Sequence, residues 1–248
     1  MTGTVYLVGA GPGAPDLLTL RAARLLARAD IVFHDALVHH DVVALAAAAE
    51  KVAVGKRCGR HATVQAFINK RLVDAARKHA TVVRLKGGDP MLFGRAQEEI
   101  DALRAAGIAV EVVPGITAAL AASATLGTSL TQRGTARTVA FVTPRVGVAE
   151  RRSAWARALG NADAGAVYMG AGDALHVRDA LVEAGKAPGT PIAIVENASL
   201  PDERITYATL ARLPAAARTL GSGPALILLG PQFAAAAAAQ HERGCATG

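Results

Sequence analysis

The stretch Val83–Arg95, VRLKGGDPMLFGR, ends an apolar run in Lys86, Gly87, Gly88, Asp89 and Pro90 before a helix-like segment begins near Phe93. Packing a strand requires neither two glycines nor an acid followed by proline, so this loop is a candidate for holding a ligand. A second glycine loop closes the first predicted strand, where LVGAGPGAPDLLTL places Gly9, Gly11 and Gly13. Without Cβ atoms the backbone there can turn sharply and approach a ligand closely. The spacing Gly9-x-Gly11-x-x-Ala14 also satisfies the dinucleotide-binding pattern, and Asp35 follows at about the distance of a ribose-binding acid. That reading points to a nicotinamide or flavin oxidoreductase. Two features oppose it. Pro12 removes an N–H that a pyrophosphate would use. The Gly87–Asp89 loop sets open backbone beside a carboxylate, which suits a ribose hydroxyl or a cationic group better than a phosphate. A tight strand-to-helix turn with no ligand is the plain alternative.

Such loops need a frame, and the hydrophobic pattern supplies one. Strands are expected at Thr4–Gly9, Asp30–His34, Lys51–Val54, Thr81–Leu85 and Ala109–Val113, alternating with helices over Asp16–Arg28, Asp41–Ala48, Val64–His79 and Arg95–Ala106. In the longest helix Val64, Phe67, Ile68, Leu72, Val73 and Ala76 form an apolar face opposite Asn69, Lys70, Asp74, Arg77 and Lys78. Alternation at this length argues for an α/β unit with a largely parallel sheet, whose ligands bind at the C-terminal strand edge. Pro114 and Gly115 break the series before a small-residue helix, ITAALAASATL. Further strands are expected at Thr138–Thr143, Ala166–Met169, Ile192–Glu196, Arg204–Tyr207 and Ala225–Leu229. The chain therefore reads as two α/β domains, 1–114 and 115–248, the second more mixed in strand direction.

Composition narrows the function classes. The formal charge of +7 on 248 residues suits a nucleic acid, an anionic surface or a polyanionic metabolite. Scattered arginines, few aromatics and no zinc-finger or RNP-like pattern leave nucleic acid without support. No apolar run reaches the roughly eighteen residues of a membrane span, and MTGTVYLVGAGPG enters a strand without a basic leader region, so no signal peptide is expected. Cys58 and Cys245 form neither a disulfide framework nor a CxxC site, which fits a reducing cytoplasm. His34, Asp35, His39 and His40 lack a second ligand set with characteristic spacing, so no metal is expected.

The segments VGAGPGAPDLLTLRAARLLARADIVFHDALV, VGKR, VVRLKGGDPMLFGR, VVPGITAALAASATLG, VYMGAG and ENAS stand in an order and spacing that resembles the uroporphyrinogen-III C-methyltransferases of the tetrapyrrole methyltransferase superfamily. The likeness runs over nearly the whole chain, and the motifs together are far more specific than any one. It implies a homodimer of two-domain α/β chains, with S-adenosylmethionine in the cleft between the domains and S-adenosylhomocysteine as product. Carried over motif by motif, cofactor contacts would come from Pro12, Gly87, Gly88, Asp89, Leu92, Thr117, Ala118, Met169 and Ala198. Asp35 would be the proton acceptor and Lys56 the proton donor. Arg84 and Arg95 would pair with substrate carboxylates. The implied reaction methylates uroporphyrinogen III at C-2 and C-7, giving precorrin-2 for sirohaem and cobalamin. A relative acting on a later corrin precursor is the nearest alternative. The multifunctional sirohaem synthases carry a dehydrogenase–chelatase domain for which this chain has no room.

Some positions depart from the family pattern. Ala14 replaces an acid, His34 a tyrosine and Met91 a phenylalanine; Gln132 and Pro144-Arg145 stand where histidine-bearing motifs are usual. These changes bear on the substrate more than on the cofactor.

Overall fold

The computed structural model describes residues 2–54, 61–146 and 153–235. Lys56, Cys58 and Cys245 lie outside the described residues. The chain divides into two compact units, the first ending at Ala118 and the second beginning at Ala119.

In the first unit β1 (Thr4–Gly9), α1 (Leu20–Ala27), β2 (Ile31–His34), α2 (His40–Ala44) and β3 (Glu50–Ala53) are followed by α3 (His61–Ala76), β4 (Thr81–Lys86), α4 (Ala96–Ala105) and β5 (Ala109–Val113). The strands make a five-stranded parallel sheet in the order β3-β2-β4-β1-β5. Chain order runs leftward from β1 to β3 and then back rightward through β4 to β5. Right-handed crossovers moving in opposite directions must use opposite faces of the sheet, and the core divides accordingly. On one face Leu25 and Leu26 of α1 and Val42 and Val43 of α2 pack against Val8, Val32, Val83 and Leu85. On the other, Ile68 and Leu72 of α3 and Ile100 and Leu103 of α4 cover Val5, Leu7, Ile31, Phe33 and Val82. Adjacent strands β1 and β4 thus send their exit loops to opposite faces, which opens a crevice where they part.

Several local details differ from the sequence reading, α2 ending at Ala44 and α3 beginning at His61 among them, and three have a clear cause. The first helix does not run through from Asp16: a 3-10 turn, Pro15–Leu17, is followed by extended Leu18 and Thr19, and Thr19 Oγ1 then caps α1 by accepting from Ala22 N at 3.1 Å. A threonine with a free backbone amide two or three residues ahead restarts the helix. In α3 the buried face is Gln65, Ile68, Leu72, Ala75 and Ala76, while Phe67 is 57% exposed and lies beside Arg71. The polar Gln65 took its place because a polar partner waits inside, as described below. In the second unit the strand expected at Ala166–Met169 is β7 (Ala164–Val167), since Met169 is left-handed with φ of 57° and cannot continue a ladder.

That second unit holds α5 (Ala118–Thr125, entered from the first unit's last residue), β6 (Val139–Val142), α6 (Trp155–Asn161), β7, α7 (Ala174–Glu183), β8 (Pro191–Glu196), β9 (Arg204–Thr209), α8 (Leu213–Ala217) and β10 (Ala225–Leu229). Its sheet runs β6-β7-β10-β8-β9, with β6 and β7 parallel and every other pairing antiparallel. The expectation of mixed direction in this half holds. Because β10 opposes both β7 and β8, those two strands point the same way, and the residues following them share one sheet edge. Leu159, Val177, Leu181, Ile192, Ile194, Ile227 and Leu229 form the core beneath.

Leu72 is fully buried. Leu72→Ala should therefore cost about 2–5 kcal/mol, whereas Phe67→Ala on the same helix should cost about 1 kcal/mol or less. Chemical denaturation of both variants checks the inward face of α3; equal losses would contradict it.

Candidate active site

The loops after β1, β4 and β5 meet as backbone on backbone. Gly11 N donates to Gly88 O at 3.2 Å and Gly88 N to Gly11 O at 2.7 Å, while Ala10 N donates to Lys86 O at 2.7 Å. A Cβ built on Gly115 would stand 2.3 Å from Gly88 O and 2.8 Å from Gly9 Cα, and one on Gly9 would stand 2.6 Å from Gly115. Only glycine lets three chains pass this closely. Asp89 completes the brace: its Oδ2 accepts from Gly115 N at 2.9 Å and its Oδ1 from Met91 N at 2.7 Å. The sequence reading gives Asp89 to a ligand; the structure adds a bracing role. Both of its oxygens already tie the β4 loop to itself and to the start of the next segment.

This brace decides against a pyrophosphate site. At three consecutive positions of the first loop no N–H is left to offer: Ala10 and Gly11 donate to backbone carbonyls and Pro12 has none. The helix that should begin in the loop starts only at Leu20, too far on to present its N-terminus to a phosphate. The dinucleotide fold also sets β1 beside β2, whereas here β4 lies between them. What the loops do offer is a Cβ-free surface at the crevice between β1 and β4, which fits a flat or extended neutral-to-cationic ligand lying against backbone.

Asp35 lies just past β2 on the same edge, one residue beyond His34, which pairs with Leu85 of β4, and its N–H donates to Leu85 O at 3.4 Å. Its Oδ1 accepts from Arg84 Nη2 at 2.5 Å, and its Oδ2 stands 3.9 Å from Lys86 Nζ. The Asp35 side chain is 30% exposed and that of Arg84 2%. Behind them lies Glu99 of α4, with no exposure at all, accepting from Arg84 Nε at 3.1 Å, from Lys86 Nζ at 3.2 and 3.3 Å, and from Gln65 Nε2 at 3.2 Å. Two cations and two carboxylates thus form one cluster reached from β2, β4 and α4, with Gln65 of α3 closing it. Burial, helped by the neighbouring Arg84 charge, holds the Lys86 ammonium below its ordinary pKa, against the pull of Glu99 and Asp35.

Arg84 is therefore placed differently from the sequence reading, which gave it to a substrate carboxylate. Its guanidinium is inside the unit and held by Asp35, Glu99 and the Leu85 carbonyl. Sequence reasoning passed over Lys86 and Glu99. The available signal was the i, i+2 pair Arg84 and Lys86 in an otherwise apolar strand: alternation puts both on one face, and a buried central strand then demands buried acids.

The other candidates sit at the rims of the two sheets. Gly87 and Leu92 lie in the β4 loop, with Phe93 and Arg95 left-handed at φ of 53° and 54°. Arg95 is exposed and chelates Glu98 with Nε–Oε1 and Nη2–Oε2 distances of 2.7 Å, which lowers the Glu98 pKa. Thr117 is nearly buried at the approach to α5. In the second unit Met169, 46% exposed, and the buried Ala198 follow β7 and β8 on one edge, Ala198 between left-handed Asn197 and Ser199. Side chains held in that region cluster at ligand sites. His39, His40 and Asp41 bring three ligand-type atoms within 4.8 Å, but His39 Nδ1 accepts from Asp41 N at 3.4 Å in capping α2. Lys56 lies outside the described residues.

Gly115→Ala should force the β1 and β4 loops apart, lowering the melting temperature and weakening any ligand of this edge roughly tenfold or more. A variant that melts and binds like the parent would show that the close approach is dispensable.

Residues 4–214 match the family model described as Tetrapyrrole (Corrin/Porphyrin) Methylases. The chain is 48% identical over 231 residues to a siroheme synthase of a Psychrobacter species, covering 92% of this chain and 47% of that protein. It is 45% identical over 230 residues to the siroheme synthase of Azotobacter vinelandii, covering 92% and 50%. The chain spans about half the length of the curated relatives it matches. Among solved structures, uroporphyrin-III C-methyltransferase from Thermus thermophilus complexed with S-adenyl homocysteine is 41% identical, with a TM-score of 0.81 over 93% of this chain and 99% of that one. A cobalt precorrin-4 methyltransferase is 30% identical, with a TM-score of 0.80 over 92% and 94%. The family match over most of the chain and the likeness of the whole fold to solved members agree: this chain belongs to the tetrapyrrole (corrin/porphyrin) methylases.

Proposed function

We propose that the chain is an S-adenosylmethionine-dependent C-methyltransferase acting on uroporphyrinogen III at C-2 and C-7 to give precorrin-2, which feeds sirohaem and cobalamin. The observation that carries this reading is the likeness to the Thermus thermophilus enzyme: 41% identity extending over nearly all of both chains. The weaker 30% likeness to a precorrin-4 methyltransferase makes a later corrin precursor the second choice of substrate.

The loops fit the cofactor on chemical grounds. A Cβ-free crevice whose first loop offers no N–H at Ala10, Gly11 or Pro12 suits a sulfonium nucleoside better than a dinucleotide, and Pro12, Gly87, Gly88, Asp89, Leu92, Thr117, Ala118, Met169 and Ala198 are the residues proposed to hold it, Asp89 also bracing the β4 loop. When bound, S-adenosylmethionine supplies an electrophilic methyl group to an electron-rich pyrrole carbon. The protein's part is alignment and proton management. Asp35 is suited to stabilise positive charge developing on the ring and to take the released proton at Oδ2, the oxygen that accepts no hydrogen bond among the described residues. Lys56 is the proposed proton donor. Arg95, exposed at the loop, is the arginine suited to meet the substrate's carboxylates, and the +7 charge favours encounter with a polyanion. No helix among the described residues is long and apolar enough to cross a membrane. A cytoplasmic homodimer acting without nucleic acid is part of the same proposal, and sedimentation at several protein concentrations tests the dimer.

Incubation with S-adenosylmethionine and enzymically generated uroporphyrinogen III, followed by product masses, should reveal two added methyl groups. Methylation of a later corrin precursor in its place would move the assignment to the second choice. Calorimetric titration should show tighter binding of S-adenosylhomocysteine than of NAD, and the reverse order would sink the cofactor assignment. Asp35→Asn should lower turnover roughly a hundredfold or more with cofactor affinity nearly unchanged. Loss of affinity with normal turnover would return Asp35 to the role of a ribose acid.

Arg95→Ala should chiefly raise the apparent KM and reduce its dependence on salt, because the contact it removes is exposed and screenable. A KM as salt-sensitive as the parent's would assign Arg95 to its Glu98 pair alone.

A further inference from the structure

The buried charge cluster behind Asp35 does more than the fold requires. Replacing a buried ion pair by apolar residues is often neutral or stabilising, yet here β4 and α4 carry a complete one, ending at a carboxylate that is part-exposed on the ligand edge. Arg84 is held on three sides: Nη2 on Asp35 Oδ1, Nε on Glu99 Oε1, and Nη1 on the Leu85 carbonyl at 3.2 Å. A guanidinium so held cannot swing, so the Asp35 oxygen it binds cannot swing either. Glu99 in turn is anchored by Lys86 and Gln65, and Gln65 also donates to Asn69 Oδ1 at 3.0 Å.

We propose that Arg84 and Glu99, with Lys86 as counter-charge, are positioning residues for Asp35: Glu99 holds the Arg84 guanidinium, which fixes Asp35 Oδ1 and leaves Oδ2 as the oxygen that exchanges the proton. This inference rests on the acid–base role proposed for Asp35. None of the three touches substrate in this scheme; they act through that carboxylate. Among the described residues, the charged and titratable groups tied to Asp35 are Arg84 and Lys86 from β4, with Glu99 of α4 behind them, and His34 on its own strand, whose Nδ1 lies 3.4 Å from the Asp35 carbonyl oxygen.

The cluster makes opposite predictions for its two ends. Glu99→Gln keeps the shape but removes a negative charge, leaving both cations directed at Asp35. Its carboxylate form is then favoured, and the acidic limb of kcat/KM should move down by about one pH unit. Arg84→Met removes the cation that contacts Asp35, so the acidic limb should move up by a similar amount. Both variants should lose roughly ten- to a hundredfold in kcat from misplaced geometry, with calorimetric affinity for S-adenosylhomocysteine within about twofold of the parent. Arg84→Lys keeps the charge but cannot bridge two carboxylates; it should lose turnover with the limb near its parental position.

The pH profiles of these variants are measured beside Asp35→Asn. Limbs that stay at the parental pH, with lowered melting temperatures the only change, would overturn the positioning role and leave the cluster structural. If Arg84→Met does not fold, Glu99→Gln decides the matter alone by the same shift. Full turnover in Asp35→Asn would remove the acid–base reading and this inference with it. Loss of turnover in Asp35→Asn together with an unmoved limb in Glu99→Gln would remove the inference only.

Discussion

Two positive charges on the buried face of the central strand set the terms for the first unit. Arg84 and Lys86 alternate with Val83 and Leu85 on β4, and taking an ion out of water costs several kcal/mol unless it is paired and hydrogen-bonded. Glu99 must therefore face inward from α4, Gln65 must turn its amide in from α3, and Asp35 must leave β2 where the Arg84 guanidinium can reach it. The burial of Gln65 in place of Phe67 on α3 follows from the same demand. Removing one partner of such a cluster leaves an uncompensated buried charge, typically at a cost of about 3–5 kcal/mol. The cluster thus locks two helices and two strands to Asp35, the residue proposed as the base.

The glycine brace answers a different constraint. Parallel strands leaving for opposite faces open a crevice, but its walls are loops, and loops wander unless pinned. Here reciprocal amide–carbonyl bonds between Gly11 and Gly88, the missing side chain of Gly115 and the two backbone amides held by Asp89 pin three loops to one another. Polar groups spent on one another cannot bind phosphate, so the rigidity that builds the crevice also narrows what can enter it. Exposed Leu37 and Met91 beside this edge leave apolar surface available to a ligand.

Much of this was legible from one dimension. The period-two and helical patterns located every strand of the first sheet to within a residue or two, because burial on one or both faces leaves a local trace. The glycine spacing marked both loops as close-approach sites, which the brace bears out, and the order of motifs identified the family. The errors share a cause. The break between Leu17 and Leu20 depended on a threonine cap, and the early end of β7 on a left-handed Met169. Each is a single-residue conformation that hydrophobic periodicity does not register.

What the chain's order of residues determined by itself was the fold class, the loops and the chemical types brought to them, since these depend on local patterning and on residue identity. Which partner each charge finds was decided only in three dimensions. Asp89 is the acid of a ligand loop in sequence and in space is also a backbone clamp; Arg84 is a cation for a substrate in sequence and points inward to Asp35 and Glu99 in space. Strand order made the difference. Inserting β4 between β1 and β2 carries Asp35 away from the first glycine loop and sets it against Arg84, 49 positions further along the chain. Spacing along a chain fixes no such neighbour, because parallel crossovers can place the next strand on either side of the last.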